Sequence, residues 1–147
     1  MQKADVLIAV APEPLLRIIE HLFERPDFEI VESLSEWTHL PREANRLQPN
    51  VIVANMTLLG YGASKILSDV KFASPASKVI LISFPHDVSY HARRWGADAY
   101  LKEEQLVQRL IPTVKQLLVR GRAGVSNTSR WVASTRHPAK QKNSRIE

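Results

Sequence analysis

Val51, Ile52, Val53 and Ala54 form an unbroken apolar run, rich in β-branched residues, that ends on the amide Asn55 and feeds a glycine-punctuated loop, NMTLLGYG. A strand with one wet face alternates apolar and polar residues, so a strand without alternation has to be covered on both faces. That is the situation of a central strand in a parallel sheet flanked by helices. The run restricts the chain to α/β architectures more tightly than any other stretch. It also sets Asn55 at a strand's carboxyl end, where open parallel sheets bind their ligands.

Further strand-like runs lie at residues 6–10, 30–31, 79–82 and 99–101. Between the first two, Leu15, Ile18, Ile19, Leu22 and Phe23 keep the spacing of one apolar helical face, with Pro14 as a good starting residue and Pro26 as a stop. Residues 37–47 predict a helix that Pro41 either kinks or starts. Residues 63–72 and 88–95 predict short helices. Residues 104–119 predict a longer one, striped by Leu106, Leu110 and Val114, with a kink at Pro112. Five strands alternating with five helices predict a doubly wound, five-stranded parallel sheet with helices on both faces, the flavodoxin-like (βα)5 arrangement.

The 147 residues, 44% of them apolar, suffice for one packed domain and a tail. The absence of cysteine excludes disulfides and thiolate metal sites. The first apolar run is too short for a secretory leader, and no later run approaches membrane-spanning length, so a cytoplasmic location is expected. Charge is unevenly divided. Residues 1–119 hold 13 Lys+Arg against 14 Asp+Glu, whereas residues 120–147 hold seven Lys+Arg and one acid, Glu147. The reading is therefore a domain over 1–119 and a basic tail over 120–147, too poor in apolar residues to bury a face and expected to be disordered.

Four stretches in register, VLIAVAPEPLLR, LQPNVIVANMTLLGYG, SKVILISFP and GADAYLKE, resemble the receiver domains of bacterial two-component response regulators, the CheY-like family. The resemblance covers about residues 4–119. It implies a phosphorelay signalling module in which an acidic pair after the first strand and an aspartate after the third hold magnesium, and the aspartate accepts phosphate. Carried over residue by residue, the acidic pair falls on Ala11 and Pro12 and the acceptor on Asn55. Ser83 takes the place of the switch hydroxyl and Tyr100 that of the aromatic that follows activation. The lysine position falls on Glu103, with Lys102 displaced by one residue unless a bulge restores it. The segment between Ser83 and Gly96 is also shorter than is usual in the family.

These departures remove the chemistry. An amide oxygen is a poor nucleophile, and magnesium is held by carboxylates, which Ala11, Pro12 and Asn55 lack. Glu13, Asp98 and Glu103 are the carboxylates left nearby in sequence. The expectation is a degenerate pseudo-receiver, not an enzyme, with no cofactor and no metal, that works through protein contacts with a histidine kinase, another regulator or a second copy. Tyr90, Arg93, Arg94 and Trp95 pair cations with aromatics on one short helix and are the candidate interface; the bland alternative is an amphipathic helix with solvated arginines. The other reading is a transcription-associated regulator that binds nucleic acid through Arg120, Arg122, Arg130, Trp131, Arg136, Lys140 and Lys142. An enzyme of the doubly wound class lacks support, because APEP stands where a phosphate-cradling glycine loop would follow the first strand.

Overall fold

The computed structural model describes residues 3–83, 89–122 and 132–133. Strand β1 (Ala4–Ala9) leads to helix α1 (Glu13–Leu22), β2 (Phe28–Leu34), α2 (Leu40–Leu47) and β3 (Val51–Asn55). Next come a single turn α3 (Met56–Leu59), α4 (Ala63–Ala73), β4 (Lys78–Ser83), α5 (Ser89–Arg94), β5 (Ala99–Lys102), α6 (Leu106–Arg122) and a two-residue β6 (Val132–Ala133). The strands lie in the order β2-β1-β3-β4-β5-β6, and every pairing is parallel. The expected doubly wound sheet is present, with β6 added at the edge from within the segment read as tail.

Alternation across the sheet sorts the apolar residues into two cores. Val6, Ile8, Val51, Val53, Ile80, Ile82 and Leu101 face α1 and α6, meeting Leu16, Ile19, Phe23, Leu110 and Val114. Leu7, Ala9, Ile52, Ala54, Val79, Leu81 and Tyr100 face the other layer, meeting Leu40, Ala44, Ile66, Leu67, Val70 and Ala92. All five residues of β3 are buried, which is why its sequence shows no alternation. Pro41 stands in the first turn of α2 and starts that helix rather than kinking it, since its missing N–H is not needed there. Helix α6 continues through Pro112 to Arg122, three residues beyond the boundary read from composition.

Candidate functional site

The order of strands reverses direction at β1, so the loops after β1 and β3 open a crevice at the carboxyl ends of those two strands. The β1–β3 ladder ends with Ala9 opposite Ala54. Beyond it, the Asn55 side chain crosses the gap. Its Nδ2 donates to the Ala11 carbonyl at 2.6 Å, and its Oδ1 accepts from the Ala11 N–H at 3.1 Å. The same oxygen accepts from the Leu58 N–H at 3.2 Å and so caps α3. The amide cannot be turned round, because that would aim an NH2 at two N–H donors and an oxygen at a carbonyl. Asn55 is 1% exposed, and each polar atom of its side chain is engaged.

An aspartate could not make this set of bonds, since a carboxylate has no hydrogen to give the Ala11 carbonyl. The donor set does not fit magnesium either. Ala11 offers no side-chain ligand, and the Pro12 carbonyl accepts from Leu15 and Leu16 at the start of α1 (3.0 and 3.2 Å). Glu13 is exposed and bonded to Arg17 at 2.7 Å. Asp98 lies at the opposite end of the sheet, where its Oδ2 accepts from the Val79 N–H (2.8 Å) and from Lys71 Nζ (3.0 Å). The three carboxylates near in sequence therefore do not gather, and among the described residues no group of three potential ligands does.

Two other expected positions do meet. Ser83 ends β4, Tyr100 lies on β5, and their hydroxyl oxygens are 3.3 Å apart with both residues buried. The β4–β5 ladder runs without a shift from Ile80–Ala99 to Ser83–Lys102, so no bulge restores the register. Lys102 shares the face of Tyr100 by alternation, and Glu103 leaves the strand to open a 3-10 turn that Gln105 ties to the Lys102 N–H at 2.9 Å.

On α5, Ala92 is buried, Arg93 and Arg94 are exposed, and Trp95 is half-buried against the α2–α4 core. The side chain of Tyr90 lies outside the described residues, as do Arg130, Trp131, Arg136, Lys140 and Lys142; Arg120 and Arg122 fall in the last turn of α6. The sequence reading missed a cleft of about 580 Å³ on the other side of α3, walled by Trp37, Pro41, Leu58, Leu59, Gly60 and Ile66. Trp37 is 48% exposed and Phe72, on α4, is 89% exposed. Nothing in a lone aromatic's sequence context separates a core position from such a surface one. The Asn55 cap, by contrast, carried a local sign: an Asn three residues before the N–H it satisfies.

No protein-family model matches the sequence, and no curated protein matches it. Solved structures do. A response regulator receiver domain from Clostridium thermocellum superposes with a TM-score of 0.72 at 21% identity, over 83% of this chain and 99% of the other. The receiver domain of the putative response regulator NarL from Mycobacterium tuberculosis gives 0.69 at 15% identity, over 83% and 98%. A DNA-binding response regulator of the LuxR family from Staphylococcus aureus gives 0.64 at 19% identity, over 78% and 98%. With the parallel sheet and its strand order, these likenesses show that the chain has the fold of the response-regulator receiver domains.

Proposed function

We propose that this chain is a receiver-like module of two-component signalling that works by protein contact, without accepting phosphate. The observation that carries the reading is the Asn55 clip on Ala11. The side chain that would be the acceptor is instead a buried strut between the first and third strand loops, with its oxygen spent on two N–H donors. Such a strut holds by neutral hydrogen bonds the two loops that a cation would otherwise join. The buried Ser83–Tyr100 pair supports the same reading, since the two side chains to which the resemblance assigns the switch hydroxyl and the aromatic are 3.3 Å apart. In this reading the chain is not an enzyme, it resides in the cytoplasm, and its partner is a kinase, another regulator or a second copy. Exposed Arg93, Arg94, Trp37 and Phe72 supply the residue types that anchor interfaces.

The test is mass spectrometry after incubation of the full chain with a small-molecule phosphodonor and magnesium. No covalent phosphate on residues 1–119 is expected; a phosphorylated body overturns the reading. A second reading, nucleic-acid binding through the tail, is favoured by the concentration of basic charge after residue 119, and such binding would weaken steeply with salt.

A further inference from the structure

The cleft beside α3 lies between elements that the fold fixes. Buried residues of α2, α3 and α4 belong to one core, and α3 starts on the Asn55 cap, whose Oδ1 holds the Leu58 N–H at 3.2 Å. Its shape is therefore set by packing, as in preformed ligand sites, and its volume of about 580 Å³ falls within their range of about 300–1,000 Å³. Leu58, Leu59 and Ile66 give it a buried apolar lining. Trp37, in the loop between β2 and α2, adds an indole that is half exposed, and its carbonyl accepts from the Leu40 N–H at 3.0 Å where α2 begins. Gly60 has φ 63° and ψ −150°, a backbone that favours glycine, and a Cβ there would meet no atom within 4 Å. The wall at Gly60 thus stays open. The charged residues lining the cleft are Lys65 and Asp69, one turn apart on α4, and they pair at 3.0 Å.

We propose that this cleft binds a small, uncharged, planar aromatic molecule. The Trp37 indole offers a flat face for offset stacking, and the apolar lining takes the ring out of water. Charge decides against an ionic ligand. One cation and one anion cancel at the rim, so an anionic group brought there meets Asp69 and a cationic one meets Lys65. An uncharged ring meets neither penalty, and a polar atom on its edge finds a donor in Lys65 and an acceptor in Asp69. Leu58 lines the cleft and is also held by Asn55, so an occupant bears on the same turn as the clip. The proposal does not rest on the protein-contact reading: Phe72, Arg93 and Arg94 do not line the cleft.

The probe is prodan, an uncharged planar naphthalene dye whose emission shifts to the blue in apolar surroundings, titrated into the full chain. Saturable binding at one site is expected, with backbone amide NMR shifts centred on Trp37, Leu58 and Ile66. That map needs no variant. Trp37→Ala is expected to weaken binding at least about tenfold, whereas Phe72→Ala, which removes the other strongly exposed aromatic, leaves it unchanged. Anilinonaphthalene sulfonate, an anionic dye on the same ring system, is expected to bind the parent chain at least about tenfold more weakly than prodan. Binding that does not saturate, amide shifts centred away from the cleft, or equal losses in Trp37→Ala and Phe72→Ala overturn the site. Sulfonate binding as tight as that of prodan overturns the assignment of an uncharged ligand.

Discussion

At Asn55 one atom type decides what a strand end can do. Replacing the carboxylate of the family pattern by an amide trades a charged acceptor for a donor and an acceptor on one group, and the local backbone uses both. Asn55→Ala leaves the Ala11 N–H, the Ala11 carbonyl and the Leu58 N–H without this partner and should cost roughly 2–4 kcal/mol in urea denaturation. Asn55→Asp keeps the two acceptor bonds but sets a buried carboxylate oxygen against the Ala11 carbonyl, so a loss of roughly 2–4 kcal/mol, no smaller than that of Asn55→Ala, is expected. That variant should also fail to take phosphate from a small donor with magnesium, because the Ala11 and Pro12 positions still supply no carboxylate; labelling of Asn55→Asp would show that the acidic pair is dispensable. Tyr100→Phe, which removes the hydroxyl beside Ser83, should cost about 0.5–1.5 kcal/mol. The position and the identity of these residues were legible in the sequence. The clip itself was not, because it depends on a contact 44 residues away in the chain that only the closed sheet creates.

Elements follow the sequence where one physical cause dominates and depart from it where two compete. The buried run of β3 and the stripe of α1 each have a single cause, and both elements stand within a few residues of their expected bounds. At Pro41 helix start and helix kink were both open, and the start of α2 at Leu40, which puts Pro41 in the first turn, settles the matter for a start. Between α1 and β2 the link is a hydroxyl–carboxylate hydrogen bond, with an ion pair inside α1 behind it. Glu20 accepts from the Ser33 hydroxyl at 2.7 Å and from Arg17 at 2.8 Å. The Ser33 hydroxyl first, then the Arg17 guanidinium, hold its carboxyl below the usual carboxylate range despite partial burial. A folded value below the unfolded one contributes stability that is complete above the unfolded value and is lost as pH falls through the folded one. The urea midpoint of the parent chain should therefore fall more steeply than that of Glu20→Gln between neutral pH and about pH 3. Parallel curves would show that the Glu20 charge is not used. At the far end of the sheet, Asp98→Ala strips the Val79 N–H and the Lys71 ammonium of a shared acceptor and should cost about 1–3 kcal/mol, measured in the same way.

For the whole molecule the question is whether its two charge regimes act separately. The body is nearly neutral, 13 cations against 14 acids, and the excess lies beyond it. Helix α6 ends on Arg122, with Arg120 in the same last turn. That leaves Arg130, Arg136, Lys140, Lys142 and Arg145 as the cations past the helix. If these five neutralise as many phosphates, the logarithm of duplex affinity should fall against the logarithm of salt with a slope of about −4.5, and of about −3.5 for a single strand. Replacing Arg130, Arg136, Lys140 and Lys142 by Gln in the full chain should flatten that slope to about −0.9 on duplex and weaken binding on every sequence alike. The comparison separates a polyanion-binding tail from a solvated one, because none of the four substituted residues belongs to the two cores or to the Asn55 clip. An affinity that ignores salt, or one that the four substitutions leave unchanged, assigns the basic segment no part in binding nucleic acid. The positive charge would then serve only to keep the basic segment solvated beside the edge strand that two of its residues cover.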